Sequence, residues 1–166
     1  MDDNIFTEKK MIDMQNILRK KNYTITTAES CTGGLVSSMI TEISGSSEIF
    51  KGSIITYSNE IKEKELFVKK DTMIKYGVVS IEVIEEMLQG VLKKFNATYA
   101  IAISGVAGPN GGTKDKPVGT VAIGAMNNQK IKNIQIFHFT GSRKDIQKQA
   151  SNMALQLNYE ILLKNS

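Results

Sequence analysis

The chain has 166 residues, of which 41% are hydrophobic and 23% charged. That length and balance describe one globular domain with a sizeable core, not a disordered segment. A net charge of +4 is carried mainly by scattered pairs such as Lys9-Lys10, Lys20-Lys21, Lys69-Lys70 and Lys93-Lys94. With no interleaved aromatic residues they read as solvated helix faces, and no direct nucleic-acid binding is expected.

The acidic start Met1-Asp2-Asp3-Asn4 has no long apolar run behind it. No secretory signal or membrane span is therefore expected. One cysteine suits a reducing cytoplasm, and one cysteine with one histidine leaves no basis for a structural zinc site. Residues 5 to 20 carry an apolar stripe at helical spacing, from Ile5 and Phe6 to Leu18. Residues 23 to 28 read as a first strand, followed by the turn Glu29-Ser30-Cys31-Thr32-Gly33-Gly34. A helix then opens at Leu35 and is ended by Ser44-Gly45-Ser46-Ser47. Ile49 to Tyr57 reads as a second strand, with Gly52 at a bulge.

Ser58 or Asn59 can cap a helix to about Val68, and a short helix over Asp71 to Tyr76 stops at Gly77. Ser80 caps another, with Val83, Ile84, Met87, Leu88, Val91 and Leu92 inward. Thr98 to Ser104 has the continuous small and apolar character of a buried strand. The loop 105–117 holds both prolines of the chain. Val118 to Met126 and Lys130 to Thr140 form a hairpin around Asn127-Asn128-Gln129. A last helix runs from about Arg143 to Leu163. The expected fold is α/β: a three-layer α/β/α sandwich with a mixed, mostly parallel sheet and a late antiparallel hairpin, in a single domain over residues 1–166.

Ligands of α/β proteins gather outside the carboxyl ends of strands, where helix N-termini point free N–H groups outward. The turn after Thr27 is such a place, and it offers two nucleophiles. Ser30 needs a base. Cys31, at a helix start, can ionise more easily. Spacing alone leaves the two tied. The one histidine, His138, sits in a late strand with no acid at an orienting distance, so it reads better as a sheet residue than as part of a triad. Lys62 is the stronger base candidate, one turn into a helix that follows Tyr57-Ser58-Asn59, if burial lowers its pKa. The pairing with Ser30 requires the two strand ends to be neighbours. The loop after Ser104 is rich in glycine and can nest an anion, although it matches neither a Walker A nor a dinucleotide fingerprint. Arg143 can clamp a phosphate or carboxylate, or simply end a helix in solvent.

Three segments resemble one family. They are Thr26-Thr27-Ala28-Glu29-Ser30-Cys31-Thr32-Gly33-Gly34; Thr56-Tyr57-Ser58-Asn59-Glu60 with Lys62; and Ile103-Ser104-Gly105-Val106-Ala107-Gly108-Pro109-Asn110-Gly111-Gly112 with Lys116-Pro117-Val118-Gly119-Thr120-Val121. In this order and spacing they are similar to the CinA C-terminal domain, the nicotinamide-nucleotide amidohydrolase or PncC family. The resemblance implies a stand-alone deamidase that converts nicotinamide mononucleotide (NMN) to nicotinic acid mononucleotide and ammonia, without metal or cofactor. It implies Ser30 as nucleophile, Lys62 as base and Tyr57 as a third catalytic residue. Substrate contacts would come from Thr32, Gly33, Asn59, Ser104, Gly105, Gly108, Gly111 and Arg143. The family pattern often has a further arginine where this chain has Gln147. A homodimer is a family-level expectation. The rival reading is a non-catalytic nucleotide-binding module linked to DNA uptake or repair. A cysteine-dependent hydrolase through Cys31 is a third.

Overall fold

The computed structural model describes residues 6–166. The expected stripe residue Ile5 and the acidic start lie outside the described residues. The elements in chain order are α1 (Glu8–Lys20), β1 (Ile25–Glu29), α2 (Leu35–Thr41), β2 (Phe50–Ile55), α3 (Asn59–Leu66) and α4 (Lys70–Tyr76). Then follow α5 (Ile81–Phe95), β3 (Tyr99–Gly105), β4 (Thr120–Asn127), β5 (Lys132–His138) and α6 (Arg143–Lys164). The five strands form one sheet in the order β2-β1-β3-β4-β5. β1 pairs in parallel with β2 and β3, whereas β4 is antiparallel to both β3 and β5. Four strands thus share one direction and β4 alone opposes them, giving the expected mixed sheet.

Side chains alternate across a strand, and β3 shows why this sheet is covered on both faces. Tyr99, Ile101 and Ile103 pack with α1, α2 and α6 in one core. Ala100 and Ala102 face the other core, built from α3 and α5. The alanines let α5 approach closely. Gly124 on the neighbouring strand does the same, since a Cβ there would lie 2.6 Å from Ile84 Cγ2. β1 is buried along its whole length. No described helix is long and apolar enough to cross a membrane.

The expected bulge is present. Ile25 pairs with Phe50 and Thr26 with Gly52, leaving Lys51 as the extra residue. Three helix starts follow the capping chemistry of the sequence. Ser58, Ser80 and Ser142 each accept a backbone N–H from the third residue on. At α6 the bond is reciprocal, with Asp145 reaching back to the Ser142 N–H at 2.8 Å. β2 ends at Ile55, two residues earlier than expected. Thr56 and Tyr57 leave the strand, and the Thr56 N–H donates instead to the Glu29 carbonyl at 2.7 Å.

Candidate active site

The order β2-β1-β3 sets the carboxyl end of β1 between the ends of its two parallel neighbours. Glu29 pairs with Ile55 on one side and Ile103 on the other. Ser30 N–H donates to Ile103 O at 3.1 Å, and the Gly33 N–H closes the turn onto Ser30 O at 3.0 Å. The strand ends at 27–30 and 56–57 are therefore side by side, as a Ser30–Lys62 pairing requires.

Glu29 holds this turn. Its carboxylate is buried. It accepts hydrogen bonds from Thr32 Oγ1 at 2.8 Å, Val36 N at 2.9 Å and Ser37 N at 3.0 Å, and from the Ser37 hydroxyl. The residue preceding α2 is Gly34, which has no side chain to cap the helix. The carboxylate takes over two N–H groups that would otherwise be orphaned, and its charge suits the positive end of the helix dipole. Two expectations change as a result. The start of α2 does not present these N–H groups to a ligand, because Glu29 already occupies them. Of the two turn residues expected to meet substrate, Thr32 has its hydroxyl and Gly33 its N–H engaged within the turn. Among the described residues the N–H groups of Cys31 and Thr32 have no acceptor outside their own residue.

Lys62 approaches from α3. With Ser58 as N-cap, Lys62 stands one turn inside the helix and points under it, only 2% exposed. Its Nζ donates to Thr56 O at 2.7 Å and lies 3.3 Å from Ser30 Oγ. Removal from water lowers the lysine pKa below its ordinary value, against a smaller upward pull from Cys31. A neutral amine can accept a proton from the Ser30 hydroxyl across this contact. Cys31 turns the other way, into the core beneath α1, α2 and α6. Burial pushes its thiol up to about 11. His138 stands exposed on β5, with Nδ1 3.4 Å from Thr120 Oγ1 and no contact with Ser30.

Arg143 closes the opposite wall. It is the first residue of α6, donating from Nη1 to Gly108 O and from Nη2 to Tyr57 OH, both at 2.7 Å. Tyr57, expected as a catalytic residue, is thereby tied at the mouth of the site to Gly108 and Arg143, both expected to bind substrate. Tyr57 leaves its ring largely in solvent, 61% exposed. Gly108 has φ +79, and a Cβ there would sit 2.4 Å from Val118 Cγ1, so no other residue fits without moving the loop. Gly105 ends β3 against Val121, and Gly111 lies in the exposed part of the loop. Ser104 is beside Ser30 across the strand ends, but its hydroxyl donates to Val78 O at 2.8 Å. It anchors the segment before α5, which leaves only its lone pairs for a ligand. Asn59 is the exposed first residue of α3, without a hydrogen bond to the other site residues.

Two residues with clear roles here were not singled out as site residues from the sequence. Glu29 lies too far before α2 for any local capping pattern to reach it. Gln147 stood out only as a departure from a family pattern, yet its Nε2 donates to Cys31 O at 2.9 Å.

Comparison with known proteins agrees with this architecture. The family model described as the CinA C-terminal domain matches residues 7–162. CinA-like proteins of Endomicrobium trichonymphae and Prochlorococcus marinus (strain AS9601) are 49% and 50% identical over 141 and 151 residues. Those alignments cover 85% and 90% of this chain but 33% and 36% of the relatives, so the chain spans about a third of their length. The crystal structure of the competence/damage inducible protein CihA from Agrobacterium tumefaciens superposes with a TM-score of 0.90 at 30% identity, covering 93% of this chain and 94% of that one. A CinA superfamily protein from Klebsiella pneumoniae 700603 gives 0.88 at 31% identity, covering 94% and 97%. By motif, family match and fold, the chain belongs to the CinA C-terminal domain family.

Proposed function

We propose that this domain is an amidohydrolase that deamidates NMN to nicotinic acid mononucleotide through a serine–lysine mechanism. The observation that carries this reading is the buried Lys62 Nζ, 3.3 Å from Ser30 Oγ and lowered in pKa by its burial. Neutral Lys62 takes the hydroxyl proton as Ser30 Oγ attacks the carboxamide carbon. The carbonyl oxygen becomes an oxyanion facing the N–H groups of Cys31 and Thr32. The C–N bond breaks as Lys62 returns the proton to the departing ammonia. Water, deprotonated by the same lysine, then releases the acid from Ser30. Thr56 O holds Nζ in place throughout. Arg143, with free donors beyond its two bonds, and the 105–113 loop form the wall suited to the phosphate. The exposed Tyr57 ring suits stacking on the pyridine.

The test is ammonia release from NMN, beside free nicotinamide and NAD, by wild type and Ser30→Ala. NMN is expected to turn over, and Ser30→Ala to lose roughly 10⁴-fold or more. Turnover retained in Ser30→Ala would remove the nucleophile assignment. NMN binding by the wild type without ammonia would favour the non-catalytic module instead.

A further inference from the structure

α6 reaches the turn of Ser30 at one more point than the mouth. Gln147 lies four residues after Arg143, so the two side chains leave the same face of the helix. Arg143 binds the mouth, whereas Gln147 Nε2 donates to Cys31 O in a partly buried bond. A carbonyl only accepts, so the amide presents its NH₂ group there. In a trans peptide the C=O and N–H point in opposite directions within one plane. Holding Cys31 O on the α6 side therefore turns the Thr32 N–H away from α6, and that N–H has no acceptor among the described residues. The other bonds of the turn act elsewhere. Thr32 Oγ1 is fixed to Glu29, and the Gly33 N–H to Ser30 O. Among the described residues, Gln147 alone donates to the Cys31–Thr32 peptide.

We propose that Gln147 is a positioning residue for acylation of Ser30: its bond to Cys31 O fixes the peptide whose Thr32 N–H stabilises the oxyanion. This rests on the serine hydrolase reading given above. The requirement is for a donor at this place, not for glutamine itself. Gln147 borders a cavity of about 480 Å³ between α2 and α6, with Leu35, Met39, Lys144 and Lys148 around it. A longer donor such as arginine has room there.

The experiment compares Gln147→Leu, Gln147→Glu and Gln147→Arg with wild type and Ser30→Ala. One readout is steady-state ammonia release from NMN. The other is the p-nitrophenol burst from p-nitrophenyl acetate, which acylates a reactive serine without nucleotide recognition. Leu and Glu, which lack the donor, are expected to lower both kcat and burst rate by roughly 10- to 100-fold. KM should stay within about threefold, because the bond acts on the oxyanion and not on the bound substrate. Arg should stay within about fivefold of wild type in both readouts. Thermal melting checks folding, and Glu keeps the shape of the native side chain. Wild-type kcat and burst in Gln147→Leu, a loss confined to KM, or Arg as impaired as Leu would each overturn the role. A wild-type burst that Ser30→Ala abolishes, without ammonia from NMN, would remove only the substrate assignment, and the burst series would still decide Gln147. Neither burst nor ammonia in the wild type would remove both.

Discussion

The turn after β1 and the loop after β3 leave neighbouring strands at the same end of the sheet, yet they are built in opposite ways. In the turn, Ser30, Cys31 and Thr32 are all buried, and a buried carboxylate gathers its donors. In the loop, residues 109–115 are exposed. It is pinned at a few points, by Arg143 on Gly108 O and by Lys116 Nζ on Tyr76 O. A buried segment held by many hydrogen bonds keeps its geometry, whereas an exposed one pinned at intervals adapts. The turn suits bond-making steps that fail with a 1 Å misplacement, and the loop suits recognition of a charged group. Substitutions in the floor should therefore act on kcat and those at the mouth on KM.

The largest effect should come from Lys62. Lys62→Met keeps most of the buried stem but removes the proposed base, and kcat is expected to fall by roughly 10⁴-fold with KM little changed. The wild-type pH profile sharpens this. The base works only when neutral, so activity should fall as pH drops through the lysine pKa. Because burial lowers that pKa, the acid limb should lie below the ordinary lysine value of about 10.4. A limb at the ordinary value would mean that Lys62 is in water and not the base.

Glu29→Gln tests whether the floor must be held. The amide keeps one acceptor and turns an NH₂ group toward donors that the carboxylate now receives. A loss of about 1.5–3 kcal/mol is expected, as for hydrogen bonds to a charged group. For a chain of this size that lowers Tm by roughly 3–12 °C. If the turn positions Ser30, kcat should fall by roughly tenfold as well. A lower Tm with unchanged kcat would make Glu29 a scaffold residue only. At the mouth, Arg143→Ala frees Gly108 O and Tyr57 OH together. KM for NMN should rise by about tenfold while kcat stays within about threefold. A collapse of kcat at unchanged KM would break the division between floor and mouth.

The elements themselves were legible because their signals are local. Ser58 and Ser80 announce two helix starts, and the small and apolar run from Thr98 to Ser104 fits a strand buried on both faces. The contacts that build the site are tertiary. That Lys62 meets Ser30 depends on β2 lying beside β1, which no property of either segment dictates. Glu29 sits six residues before the start of α2, so its capping role appears only once the turn folds back. Gln147 falls within a helix whose inward apolar positions are plain, but the carbonyl it meets is 116 residues away in sequence. Family resemblance bridged the first of these gaps, since it pairs a serine with a lysine. It could not bridge the last, where this chain departs from the pattern.

The smallest effect on activity should come from Cys31, next to Ser30. The sequence left the two tied because both are nucleophiles on one turn. The structure separates them by direction: Ser30 faces Lys62, and Cys31 faces the core. Burial raises the thiol from 9.0 to about 11, against a downward pull from the backbone N–H of Cys31 and the charges of Lys62 and Arg143 and with a small upward push from Glu29. A thiol held neutral and out of water is a poor nucleophile. Cys31→Ala should therefore keep kcat within about twofold and lose about 1 kcal/mol of stability for the small void left behind. The sign of its pH dependence can be checked directly. Below about pH 9 the thiol is protonated in both states and its contribution is complete. Between about 9 and about 11 the unfolded chain releases the proton first, so folding stability falls as pH rises. The slope is at most about 1.4 kcal/mol per pH unit. Urea unfolding at about pH 8 and pH 10.5 should show this extra loss in the wild type and not in Cys31→Ala. Equal losses in the two proteins, with rapid modification of the native thiol by a thiol reagent, would place Cys31 at the surface of the site and reopen its competition with Ser30.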